Sequence, residues 1–179
     1  NNKPVANALA RWQSASKNLF VWDYTVQFAN YMSPFPNLSY FEENYTTFKA
    51  NNVKGLFVQG YADVPGDFSE LRQYLLAKLL WDASIDVKAT TADFLRGFYG
   101  KAASEIENYL KLLSENQKKS KAYLDIYSGP VQNRTTYLTP EAMNQYDKFL
   151  EKAWQAVDED KTIQKRVEKL RLALEYTYF

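Results

Sequence analysis

The chain has 179 residues, 46% of them hydrophobic, with 22 basic and 21 acidic side chains for a net charge of +1. This is enough apolar material for a domain with its own core, which excludes a disordered tail, and the balanced charge gives no electrostatic reason to expect nucleic acid or an anionic membrane surface as partner. Cysteine and histidine are both absent, which excludes disulfides, thiol nucleophiles, Ser-His-Asp catalysis and imidazole-based metal sites, and leaves Asp, Glu, Lys and Tyr for any catalysis.

Residues 4–15 read as a helix. Pro4 suits a first turn, and Val5, Leu9 and Trp12 recur at helical spacing before Ser14, Ser16, Lys17 and Asn18 break the pattern. Leu19 to Thr25 is a short apolar and aromatic run interrupted only by Asp23, the pattern of a strand buried on both faces in a parallel sheet. Ser33-Pro34-Phe35-Pro36-Asn37 is a loop, because two prolines so close cannot sit in regular structure. Ser39 and Glu42 have capping-box spacing for a helix whose apolar stripe is Leu38, Phe41, Tyr45 and Phe48. Asn51-Asn52 end it, and Val53 to Gln59 is a second apolar strand closing in Gly60. This is β/α alternation, whose usual solution is a right-handed parallel crossover.

Helices dominate the remainder. Asp67 and Glu70 form an acidic start for Phe68 to Trp81, with Asp67 read as its cap. Asp86 begins the next helix and Gly100 stops it. A third runs from about Lys101 to Gln117, with Ile106, Tyr109, Leu110 and Leu113 on one face and the basic cluster Lys118, Lys119 and Lys121 at its solvated end. Gly129-Pro130 punctuates an irregular stretch, and Thr139-Pro140 has the form of a cap followed by a first-turn proline. Asp158-Glu159-Asp160 closes that helix and supplies negative charge to a last one, carrying Ile163, Val167, Leu170 and Leu174. No apolar run reaches the roughly 18–20 residues of a membrane span. Two strands do not make an independent parallel sheet, so the chain is expected to be a fragment whose strands pair with the rest of a parent polypeptide. Its start, Asn1-Asn2-Lys3 without methionine, fits that expectation.

Several segments resemble a bacterial family of otherwise unassigned domains. They are LFVWDYTVQFANYMSPFPN at 19–37, NNVKGLFVQG at 51–60, LRQYLLAKLLWD at 71–82 and FLRGFYGKAA at 94–103, together about half the chain. The resemblance implies large exported proteins, periplasmic or at the cell surface, in which such domains accompany glycosidase-like domains and sugar-binding modules. It also implies a (β/α)8-like barrel related to glycoside hydrolases of the α-glucuronidase and hexosaminidase type. The expected fold is therefore α/β and helix-dominated: residues 1–83 form the last two β/α units of the barrel, and residues 84–179 form a helical portion packed on it.

In a parallel barrel the working residues lie at the C-terminal ends of strands and in the loops that follow. Trp22, Asp23 and Tyr24 end the first strand, Asn30 and Tyr31 lie in its loop, Gln59 and Tyr61 end the second, and Asp63 sits in the Pro/Gly loop that follows. Aromatic faces and hydroxyl-bonding groups are what a sugar site uses, although the same aromatics serve equally as core. Asp23 is the candidate catalytic carboxylate, its alternative being a structural carboxylate paired within the fold. Glycoside hydrolysis needs two carboxyls about 5–5.5 Å apart for retention or about 6.5–9.5 Å for inversion, and Asp63 is the only plausible second here. The decisive acids are otherwise expected on earlier strands. No cofactor or metal is implied. Three functions stay open: part of a glycan cleft in a hydrolase-like protein, a non-catalytic carbohydrate-binding or scaffolding domain, and a helical interaction module.

Overall fold

A computed structural model describes residues 3–60 and 66–178. Helix α1 (Lys3–Ala15) leads into strand β1 (Leu19–Tyr24), helix α2 (Phe41–Ala50) leads into strand β2 (Val53–Gln59), and helix α3 (Ser69–Trp81) follows. The strands pair in parallel, with Val21 opposite Leu56, Trp22 opposite Phe57 and Tyr24 opposite Gln59. A parallel pair cannot be joined by a tight turn, and α2 supplies the crossover. Five more helices complete the chain: α4 (Val87–Tyr99), α5 (Ala103–Ser120), the single turn α6 (Pro130–Asn133), α7 (Pro140–Gln155) and α8 (Lys161–Tyr178). The fold is α/β and helix-dominated, with a two-stranded parallel sheet. No helix among the described residues is long and apolar enough to cross a membrane.

Local chemistry sets several helix ends. Asp86 Oδ1 accepts the Ala89 amide at 2.8 Å to start α4, and Thr139 Oγ1 accepts the Ala142 amide at 3.3 Å ahead of Pro140. Asp160 Oδ1 accepts the amides of Thr162 and Ile163, both at 3.0 Å, to start α8. Gly100 ends α4 at φ +52°, where a side chain would be strained and where an added Cβ would lie 3.0 Å from Ile163 Cδ1.

Three expectations are corrected. Ser39 does not cap α2: Leu38–Tyr40 is a 3-10 turn, and α2 starts at Phe41 after Tyr40 with no side-chain cap. Asp67 does not cap α3 either. Phe68 occupies the N-cap position in the left-handed region at φ 49°, and Asp67 is buried against Arg72 instead. Strand β1 is not buried on both faces, since Phe20 and Trp22 are largely exposed.

One core runs through the molecule from Phe41 to Leu174. Its centre is Ile106, Tyr109 and Leu113 of α5, Met143, Tyr146 and Leu150 of α7, and Val167, Leu170 and Leu174 of α8. Each fully buried aliphatic side chain contributes about 1.5–3 kcal/mol of hydrophobic stabilisation, so this helical layer, not the sheet, supplies most of the driving force. The sheet is a ledge on one side of it, packed through Leu56 and Val58.

Candidate functional site

Side chains alternate across a strand, so β1 and β2 present different sets to the two sides of the sheet. Val21, Asp23, Leu56 and Val58 share the helix-covered side, whereas Phe20, Trp22, Tyr24, Gly55, Phe57 and Gln59 share the other. That second side is open: Phe20 is 71%, Trp22 65% and Phe57 59% exposed. Gly55 lets the Phe20 ring lie flat across the strand pair, where an added Cβ would come within 2.6 Å of two ring carbons.

Aromatic rings continue from this face into the loop beyond β1. Trp22 meets Phe57 edge to face at 4.8 Å between centroids and lies within 16° of parallel to Tyr24 at 6.3 Å. Phe28 stands edge-on to Tyr24 at 6.0 Å, and touches Tyr31 at 6.0 Å and Tyr127 at 5.9 Å. The series therefore runs from the middle of the strands past their C-terminal ends.

Two polar networks hold the loop that carries Phe28 and Tyr31. Arg72 of α3, 1% exposed, donates from Nη1 to the Thr25 carbonyl at 2.7 Å and to Asn37 Oδ1, and from Nη2 to the carbonyls of Phe35 and Asp67, both at 3.4 Å. Asn37 Nδ2 reaches the same Thr25 carbonyl at 2.9 Å, and Asp67 Oδ2 accepts the Phe35 amide at 3.1 Å. The Pro-Phe-Pro-Asn loop thus closes over a guanidinium that satisfies carbonyls with no strand partner. On the other side, Gln27 Nε2 donates to the carbonyls of Asp125, at 3.2 Å, and of Ser128. The amides of Phe28 and Ala29 bond the Ile126 carbonyl at 2.8 and 2.9 Å. These bonds bring Tyr127 beside Phe28.

The candidate residues separate accordingly. Trp22, Tyr24 and Gln59 come together on the open face. Asp23 points to the opposite side, where its Oδ1 accepts the Tyr24 amide at 2.9 Å and burial raises its pKa despite that bond. Its charge in turn helps push up the buried hydroxyl of Tyr45 of α2, itself raised chiefly by burial. Asn30 is engaged within the fold: Nδ2 donates to the Ser128 carbonyl at 2.7 Å, and Oδ1 accepts the Tyr176 hydroxyl at 2.6 Å. Tyr31 lies on the rim, and its carbonyl accepts the Asp67 amide at 2.9 Å. Tyr61 and Asp63 lie outside the described residues, so no carboxyl separation from Asp23 follows.

Phe28, Phe57 and Tyr127 join the site without having been singled out by the sequence. The register with Trp22 was the only signal for Phe57, and Tyr127 had none. Among the described residues no group of three or more acidic side chains gathers to hold a metal ion.

Residues 1–111 match the family described as Domain of unknown function (DUF4838), a stretch that holds α1 to α4, both strands and every ring of the open face except Tyr127. No curated protein and no solved structure matches the chain.

Proposed function

The chain belongs to the DUF4838 family, and we propose that it supplies one wall of a glycan-binding cleft in an exported, glycoside-hydrolase-like protein. The observation that carries this reading is the continuous aromatic series Phe57–Trp22–Tyr24–Phe28–Tyr127, exposed at Phe57, Trp22, Phe28 and Tyr127, which runs from the middle of two parallel strands past their C-terminal ends. Aromatic rings pack against the apolar faces of pyranoses, and the Gln59 amide and tyrosine hydroxyls offer bonds to sugar hydroxyls.

The same face supports a (β/α)8-like setting. Phe20 and Gly55 form its lowest layer, Trp22 and Phe57 the middle, and Tyr24 and Gln59 the top. Neighbouring strands of a parent polypeptide would cover the lowest layer, as side-chain layers do inside a barrel, and leave the middle and top layers lining the cleft. Both outer strand edges would pair in that arrangement, which resolves the shortage of strands.

A second reading, carbohydrate binding without hydrolysis by this chain, is favoured by one observation. Among the described residues the open side of the sheet carries no carboxylate, because alternation turns Asp23 to the helices. Acid and nucleophile would then come from elsewhere in the parent or be absent. The test is calorimetric titration of a neutral oligosaccharide panel into the chain and its Trp22→Ala and Tyr24→Ala variants. Each is expected to weaken binding at least tenfold, a difference of about 1.4 kcal/mol, with Trp81→Ala unaffected. Equal affinity in all four proteins would refute the site.

A further inference from the structure

We infer that the open face is selective for neutral pyranose chains and rejects uronic acids, an inference that rests on the glycan-cleft reading and narrows its substrate class. The basis is the charge of what surrounds the rings. Four cationic groups lie over aromatic rings among the described residues, on Phe41, Tyr74, Tyr40 and Phe98. None of these rings belongs to the series from Phe57 to Tyr127. No Lys or Arg among the described residues bonds Tyr24, Gln59, Tyr31 or Tyr127 through a side chain, and none of the ion pairs touches the face.

The cation nearest the loop is already spent. Arg72 is sealed beneath the Pro-Phe-Pro-Asn loop and held by Thr25, Asn37, Phe35 and Asp67, so it cannot turn toward a ligand. Among the described residues, the polar groups left on the face are the Gln59 amide and the hydroxyls of Tyr24, Tyr31 and Tyr127, none of which has a side-chain hydrogen-bond partner there. All are neutral, and all suit hydroxyl groups that both donate and accept.

A carboxylate laid on this surface would lose water without gaining a charged partner, and an anion desolvated without a counter-ion is penalised. Hexose hydroxyls carry no such penalty. Geometry favours a short chain over a single ring. Trp22 and Tyr24 stack within 16° of parallel, and Phe28 stands beside them at 87° to Tyr24, so the rings extend over more than one residue's width.

The test uses matched tetrasaccharide pairs that differ only at C6: β-1,4-glucose with β-1,4-glucuronic acid, β-1,4-mannose with β-1,4-mannuronic acid, and α-1,4-galactose with α-1,4-galacturonic acid. Each is titrated into the 179-residue chain at low and at moderate salt. A neutral member binding at least tenfold more tightly than its acid is the expected result. In the exposed-position variant Tyr127→Lys the acid should regain affinity in a salt-dependent manner. An acid that binds as tightly as its neutral partner, or more tightly, overturns the selectivity while leaving the glycan cleft standing. If no member of any pair binds, the cleft reading itself fails and the selectivity falls with it.

Discussion

Asp67 and Arg72 face each other at 3.7 Å with side chains 3% and 1% exposed, the one ion pair sealed from solvent among the described residues. Burial pushes the Asp67 carboxyl up to about 6, against the lowering effect of the Arg72 charge and the Phe35 amide. It pulls Arg72 down to about 10, against the raising effect of Asp67. Desolvation outweighs attraction for both, so the pair is a clasp for the loop and not a large net source of stability.

Breaking the clasp from one side is the costly operation. Arg72→Met strands the Asp67 carboxyl, the Asn37 amide oxygen and the carbonyls of Phe35 and Asp67 that the guanidinium satisfies, while the Thr25 carbonyl keeps its bond from Asn37 Nδ2. A loss of about 3–5 kcal/mol is expected, read as a lower urea midpoint. Asp67→Asn keeps the shape, loses one charge and should cost less.

The pH dependence of that comparison has a definite sign. In the folded chain Asp67 holds its proton to about pH 6, whereas its ordinary value is 3.8. Between those values the folded state binds more protons than the unfolded one, so this group's contribution to stability falls as pH rises through the window. Glu70 slopes the other way. Burial works against its ionisation, but bonds from Lys169 and Ser69 hold it below its ordinary value. The informative measurement is therefore wild type minus Asp67→Asn, by urea melts from pH 4 to pH 7. The variant should gain on wild type as pH rises, and a constant difference would show that Asp67 does not titrate in this range.

Gly66 is fixed by a neighbouring backbone. An added Cβ would lie 2.7 Å from the Tyr31 carbonyl oxygen, the atom that accepts the Asp67 amide. Gly66→Ala is expected to cost about 1–3 kcal/mol, as an overpacked site does. It should also weaken glycan binding indirectly, by shifting Tyr31. Thermal melts beside titration separate the two effects.

Asn30 and Gln59 should behave oppositely. Tyr176→Phe removes one bond to Asn30 and is expected to cost about 0.5–1.5 kcal/mol, with Asn30→Ala costing more and ligand affinity following stability in both. Gln59→Ala leaves melting nearly unchanged and weakens binding.

The sequence makes some of this legible and hides the rest for physical reasons. Asp86, Gly100 and Thr139-Pro140 mark helix ends because caps act within three or four residues. The start of α3 is hidden because Asp67 is drawn away by Arg72 and by Phe35, which lies across the loop. The open face is hidden because β1 is apolar on both sides. Val21 and Trp22 both suit a buried strand, and only the helices packed on Leu56 and Val58 decide which side stays bare. The same alternation separates Asp23 from Trp22 and Tyr24, which a strand-end motif read as a string places together. Tyr127 is out of reach of local reasoning, since the bond that brings its segment to the loop spans 98 residues, from Asn30 to Ser128.

The most direct test of the central claim is a two-dimensional NMR titration that follows the four tryptophan indole N–H signals, with Trp22 assigned by Trp22→Phe, as a neutral tetrasaccharide is added. Trp81 is a built-in control for exposure alone, being 93% exposed and away from the aromatic series. The expected result is a saturating shift of Trp22 with Trp81 and Trp154 still. A Trp22 signal that stays fixed while the sugar binds, or that moves no more than Trp81, would contradict the assignment of the open face as the glycan site.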